Sequence, residues 1–465
     1  MSNLSSKIYL PNTKTVYFIS VNVFSFIIGC LLAWNSPVLI QLQSNNTDIN
    51  PIGRPITTLE VSICTSILPM GSTIGTLLVG KLADIFGRKR MLICLAAGGA
   101  VSFGAISIAT HIYVYLIFTT TAMVCISAGF VVVPVYVTEI AEDKNRGKLG
   151  CFSSIFICLG QLYIYVLGTV TNLAYMSLLC GFPLLLFLIV SVFLPESPIF
   201  LASKGNKTEA LVALKKLRRN KSFIDLNREY NEKETMLDST SKEEIKDIRV
   251  LFKTRSGKKA VILSIGIRLT QQLSGMFIVL SFLGPLFKET GSSLSIDALT
   301  IIVAAANIPV AILALSIIEK KGRRLLLLLA IFFDGLSMFI LGLYFLFKEN
   351  TLIIIPDSVK LIPVVAIFIF VCMFTFGLSN VPFIVISEIL PNEVRSVGSS
   401  LVLVTGNLSN FFIGFMYPLV SSLVGQYACM FAFSLFCFTG FVFIYFLLPE
   451  TKGKNFLEIQ RELEK

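Results

Sequence analysis

Six charged clusters stand out along this 465-residue chain, and they come in the same order twice. The first series is Asp84-Ile85-Phe86-Gly87-Arg88-Lys89, then Glu139 with Arg146 seven residues on, then Pro195-Glu196-Ser197-Pro198. The second is Glu319-Lys320-Lys321-Gly322-Arg323-Arg324, then Glu388 with Arg395 seven residues on, then Pro449-Glu450-Thr451-Lys452-Gly453. Three motif pairs in one order mark an internal repeat. Each motif closes an apolar run, so acidic and basic side chains lie at the ends of neighbouring elements, where water is scarce enough for pairing to matter. Such pairs open more readily than an apolar interface, which suits a releasable latch. The alternative reading is that they fix topology and anchor helix ends. Glycine permits the short turn inside the first motif of each set, and proline ends the run before the last.

Catalytic chemistry is not expected. The chain has one histidine, His111, in a short connection, and no nucleophile-base constellation. Its ten cysteines fall almost entirely in apolar runs, with no CxxC and no metal-ligand spacing, and read as packing residues. No nucleotide-binding motif occurs. No metal and no cofactor is expected. What remains is a set of polar residues inside apolar runs. Gln271 and Gln272 are adjacent amides that could bind a polar ligand or bond to a neighbouring helix. Arg268 precedes Gln271 by about one turn, on the same helix face. It reads either as a counter-ion for an anion or as a side chain that snorkels or meets a backbone carbonyl. Asp334 is expected to hold a buried hydrogen bond.

The elements that position these residues follow from composition. Hydrophobic residues make up 55% and charged residues 14%, with a mean hydropathy of +0.81; a soluble domain carries about 25% charged residues. Runs long enough to cross a bilayer are predicted at 15–40, 59–82, 91–110, 113–138, 148–171, 174–194, 259–287, 297–319, 325–347, 361–386, 396–421 and 427–448. The segment 195–259 holds sixteen Lys and Arg, and two further basic clusters sit at Gly87–Arg90 and Lys320–Arg324. Loops of the opposite parity hold Arg54, Lys288, Lys348 and Lys360. The positive-inside rule then places both termini in the cytoplasm, and the net charge of +11 reports topology, with no nucleic-acid partner. Residues 1–14 are polar and the first apolar run is too long for a cleaved signal. Asn45-Asn46-Thr47 is a glycosylation acceptor in the first outer loop. The expected division is 1–194, a linker 195–258, 259–448, and a tail 449–465.

Asp-x-x-Gly-Arg-Lys, the two Glu…Arg pairs, Pro-Glu-Ser-Pro, Gln271-Gln272-Leu273-Ser274-Gly275 and Pro-Glu-Thr-Lys-Gly together resemble the sugar porters of the major facilitator superfamily, across the whole chain. Ala33-Trp34-Asn35-Ser36-Pro37 and Glu388-Ile389-Leu390-Pro391 look most like the insect facilitated trehalose transporter group. The resemblance implies an all-α membrane protein of twelve helices in two six-helix bundles, with a short cytoplasmic helical insert over 207–250. It also implies a substrate site near mid-membrane and alternating access by rocking of the halves. Leu211, Leu214 and Leu217 recur at helical spacing in the insert, which fits independently.

A sugar needs amide and hydroxyl partners and ring faces to stack on. Carried over on matching positions, the resemblance implies substrate contacts at Gln271, Gln272, Asn307 and Asn410. The chain also departs from the pattern. Met276-Phe277 follow Ser-Gly where an asparagine is usual, Pro382-Phe383 stand for Pro-Trp, and Gly406-Asn407 for Asn-Trp. Ser154 replaces a glutamine, with Gln161 two turns further along the same helix. Phe383, Asn407, Ser154, Gln161, Asn35 and Trp34 complete the expected site. Proton-coupled relatives place Asp and Arg where Asn35 and Thr119 stand here, so facilitated diffusion of a hexose or trehalose at the plasma membrane is expected. The expected partners are a small-molecule substrate and the bilayer, with no obligate protein partner. The alternatives are a carrier of a polyol or organic anion, and a non-transporting sugar sensor. Only seventeen residues follow Leu448, little for a signalling extension.

Overall fold

The computed structural model describes residues 20–140, 146–217, 255–291, 294–349, 359–390 and 395–454, with isolated positions 227, 228, 230, 231, 356, 458, 459 and 462. No strand occurs among them. Span one is two helices, α1 (Val23–Ala33) and α2 (Asn35–Leu42), bent by 43° at Trp34. Spans two to six are α3 (Thr58–Phe86), α4 (Arg88–Ser107), α5 (Ile112–Ile140), α6 (Arg146–Val170) and α7 (Leu173–Ser191). Short helices α8 (Pro198–Ser203) and α9 (Lys207–Leu217) follow. Leu214 and Leu217 of α9 are buried, Leu214 against Phe200 and Leu201. Most of the expected insert, 218–250, lies outside the described residues.

Span seven is broken into α10 (Arg255–Leu273), α11 (Met276–Ser281) and α12 (Leu283–Thr290). Spans eight and nine are α13 (Ile296–Lys321) and α14 (Arg323–Glu349). Span ten runs as α15 (Ile362–Met373), one π turn (Phe374–Leu378) and α16 (Val381–Ile389); α17 (Arg395–Leu423) and α18 (Gln426–Leu447) finish the set. Among the described residues, eleven spans are long and apolar enough to cross a membrane, and the bent pair α1–α2 makes up to twelve. Side chains such as Tyr113, Phe182 and Phe446 stand exposed on the outer faces, the arrangement a hydrocarbon surround favours.

Local sequence sets the helix starts. Thr57 accepts from the Glu60 amide while Glu60 accepts from that of Thr57, a capping box at α3. Asn172 and Ser295 cap α7 and α13 by accepting from the Tyr175 and Ala298 amides, without the return bond. Within the first six spans, α3 packs on α5, α4 on α5 and α7, and α1 on α6; within the last six, α14 packs on α18 and α15, and α10 on α17. Two seams join these groups, α3 with α17 and α6 with α13. Hydrogen bonds cross between the groups toward the end opposite the charged motifs. Thr65 donates to the Gly414 carbonyl (2.7 Å), Tyr165 to the Leu280 carbonyl (2.9 Å), and the Gly284 amide to Ser36 Oγ (2.9 Å).

Candidate functional site

The charged motifs fold into two copies of one device. Gly87 joins α3 to α4 at φ 96°, ψ 156°, and Gly322 joins α13 to α14 at φ 94°, ψ 156°. This is backbone that only glycine adopts without strain. The turn aims the first amides of the next helix at a carboxylate. Lys89 N donates to Glu196 Oε1 at 3.0 Å; Arg323 N and Arg324 N donate to the two oxygens of Glu450 at 3.0 and 3.2 Å. A carboxylate at a helix N-terminus meets unpaired N–H groups and the positive end of the dipole. Partial burial works against the charge of Glu450, but the amides of Lys452, Arg323, Arg324 and Thr451 outweigh it and hold its carboxyl below the ordinary value.

An arginine beside each carboxylate reaches a second one. Arg88 pairs with Glu139 at 3.2 Å and with Asp84 at 3.1 Å; Arg323 pairs with Glu388 at 3.1 Å. Lys89 and Arg324 also donate to main-chain carbonyls, of Val192 and Tyr445. Each of these contacts ties helix ends within one group of six spans, rather than bridging the two groups. The side chains of Arg146, Glu319 and Arg395 lie outside the described residues.

The central polar residues gather where spans seven and ten are broken. Pro382 has no N–H, so the carbonyl of Leu378 four residues earlier loses its helical partner. Gln271 supplies one: its Nε2 donates to that carbonyl at 2.6 Å. Its Oε1 accepts from Nη1 of Arg268 at 2.5 Å. Arg268 therefore neither snorkels nor meets a backbone carbonyl; it stays at depth, 7% exposed. Its guanidinium lies over the Phe383 ring, 4.9 Å from the centroid. With Phe383 43% exposed, a contact of this kind is worth about 1 kcal/mol. On its other side stands Gly406, where an added Cβ would come within 2.4 Å of Nε. Two departures from the family pattern, Phe383 and Gly406, thus both touch Arg268.

Around this group lie the other amides. Gln272 donates to the Gly406 carbonyl at 3.4 Å, and Asn407 Nδ2 to Ser72 Oγ of α3 at 3.2 Å. Ser154 of α6 donates to Asn380 Oδ1 at 2.8 Å, leaving Asn380 Nδ2 buried without a partner. Asn410, one turn beyond Asn407, has a buried Oδ1 without a partner. Asn307 accepts from Thr375 of the π turn at 3.0 Å. Gln161 is 6% exposed on α6. Asn380 escaped the sequence reading, although an amide next to Val381-Pro382 in an apolar run was a usable signal.

One expected site residue, Trp34, is committed to the core. Trp34 is fully buried, donates to Tyr115 Oη at 3.0 Å and packs on Phe103. Asn35, at the bend of span one, is buried with neither amide atom hydrogen-bonded. Thr119 bonds to the Tyr115 carbonyl of its own helix. Asp334 does not hold the expected hydrogen bond: it is fully buried in α14 and both oxygens lack partners. The Asn45 acceptor is exposed, and no metal-binding cluster occurs among the described residues.

Membrane-spanning helices in two repeated sets of six, broken near mid-membrane beside a cluster of amides, define a multi-pass carrier of the major facilitator fold. The chain belongs to the family described as "Sugar (and other) transporter", whose model matches residues 16–463. It is similar to the facilitated trehalose transporter Tret1 of Polypedilum vanderplanki, 26% identical over 98% of this chain and 90% of that one. It is also 27% identical to the protein of that name from Drosophila grimshawi, over 98% of this chain but 49% of that one, so it spans about half the length of that relative. Among solved structures, the inward open conformation of the xylose transporter XylE from E. coli matches with a TM-score of 0.79 and 20% identity, over 97% of this chain and 99% of that one. The proton:xylose symporter XylE bound to 6-bromo-6-deoxy-D-glucose matches at 0.72 and 22%, over 97% and 100%.

Proposed function

We propose that this chain carries a hexose or a disaccharide such as trehalose down its gradient by alternating access. The halves 1–194 and 259–448 rock about a site at mid-membrane. The observation that carries this reading is the central seam of amides and hydroxyls shared between the halves: Ser154 with Asn380, and Asn407 with Ser72, beside Gln272 and Asn410. A polyhydroxylated ring exchanges hydrogen bonds with such groups one for one, and each cross-half bond it replaces loosens the seam. The names of the trehalose-transporting relatives support the substrate class.

Passive carriage is supported by Asn35 and Thr119, which cannot exchange a proton at the positions where proton-coupled relatives carry Asp and Arg. The positive-inside distribution supports cytoplasmic termini, and a plasma-membrane location goes with the exposed acceptor Asn45. Reconstituted protein is expected to exchange radiolabelled sugar across the vesicle wall and to stop at equal concentrations. A pH gradient that drives accumulation above that level would overturn the passive reading.

A further inference from the structure

The guanidinium of Arg268 lies beside the central amides, bonded to Gln271, and has no carboxylate partner among the described residues. Its Nη1 is committed to the neutral amide of Gln271 and its face to the Phe383 ring. Nε is buried against Gly406 without a partner, and Nη2 donates to no protein group among the described residues. No carboxylate pairs with Arg268 there. Asp334, the other central residue of charged type, packs in α14 beside α18.

We propose that Arg268 is the counter-ion for a carboxylate on the substrate, so that the site selects monoanionic sugars of the hexuronate class. This deepens the sugar-carrier reading and rests on it. A neutral hydroxyl would leave a net charge inside the membrane, whereas a carboxylate cancels it. Nη2 is uncommitted and can donate a charge-assisted hydrogen bond to one oxygen of a carboxylate, while Nε stays buried against Gly406. Asn380 Nδ2 and Asn410 Oδ1, a donor and an acceptor without partners, remain for the sugar hydroxyls. One cation matches one negative charge, which favours a carboxylate over a phosphate dianion. Gly406 and Phe383 give this arginine its seat, so three residues are adapted to one charge.

The test measures initial uptake of radiolabelled D-glucuronate and D-glucose into proteoliposomes holding the full chain, as wild type, Arg268→Lys and Arg268→Gln. Wild type is expected to take up glucuronate saturably, and faster under an inside-positive potential. The ratio of kcat/KM for glucuronate over glucose is expected to fall at least about 30-fold in Arg268→Gln and to recover in part with Lys. Glucuronate should also raise the melting temperature of purified wild type, and not that of a cooperatively melting Arg268→Gln. If glucose is carried while glucuronate is neither carried nor competes, this proposal fails and the sugar-carrier reading stands; that comparison needs only the wild type. An unchanged ratio in Arg268→Gln also overturns it, leaving Arg268 as a positioning residue for Gln271. If glucuronate does not enter and radiolabelled glucose and trehalose do not enter either, both readings fail together.

Discussion

Gln271 shows how a residue can be found by sequence and still be misread in its surroundings. Its adjacency to Gln272 in an apolar run marked it at once, but both ends of its amide are taken, by Arg268 and by the Leu378 carbonyl. That engagement could not be read from span seven alone, because it depends on Pro382 in span ten and on Gly406 in span eleven. The same holds for Trp34, which belongs to the core with Tyr115 and Phe103; composition marks an indole but not the direction it faces. Gly406 offers the sharpest residue-scale prediction. Gly406→Ala places a methyl group within 2.4 Å of Arg268 Nε, so either the guanidinium leaves the Phe383 face or α17 moves back. Overpacking of this kind costs about 1–3 kcal/mol, and uptake is expected to fall about tenfold or more while insertion in the membrane persists. Unchanged uptake kinetics in Gly406→Ala would show that the seat of Arg268 is not under such constraint.

Helix ends were more legible than helix centres. Charge clusters and turn glycines marked the ends of spans two, three, eight and nine to within a few residues, because a hydrocarbon boundary enforces the change in polarity. The breaks in spans one, seven and ten went unread although Asn35-Ser36-Pro37, Ser274-Gly275 and Ser379-Asn380-Val381-Pro382 mark them, because long apolar runs flank each on both sides. Pairing of Glu196 and Glu450 with backbone amides was hidden too: the motif shows the carboxylates, but the turn that presents the amides exists only in the fold. Gly87→Ala and Gly322→Ala therefore test the device rather than the residue. Each puts a side chain in a glycine-only region, at about 1–3 kcal/mol, and its Cβ within 2.7 Å of Glu196 or Glu450. Both variants are expected to lower the melting temperature by similar amounts, as the doubled geometry requires; a loss in one alone would mean that the two copies are not equivalent. Glu450 adds a pH signature. Its folded value is depressed, so its contribution is complete above the unfolded value, about 4.3, and is lost as pH falls through the lower folded value. Melting temperatures taken from pH 7 down to pH 3 should show this acid-side loss reduced in Glu450→Gln.

At the scale of the molecule, the repeat in the sequence becomes two packed groups of six spans joined along α3–α17 and α6–α13. The ion pairs stiffen each group internally, as two bodies that move against each other require. Besides the central pairs Ser154–Asn380 and Asn407–Ser72, cross-group hydrogen bonds lie at the end away from the charged motifs, where Ser36 meets Gly284 and Tyr165 meets Leu280. If the halves rock, this contact opens and closes in every cycle. A Cβ at position 284 would stand 3.2 Å from Ser36 Oγ, close enough for a disulfide between cysteines placed there. Sugar uptake by the Ser36→Cys/Gly284→Cys protein, measured after oxidation and again after reduction, tests alternating access most directly. Oxidation is expected to abolish uptake and reduction to restore it, with each single variant insensitive to the oxidant. Undiminished uptake by the fully cross-linked protein would contradict it.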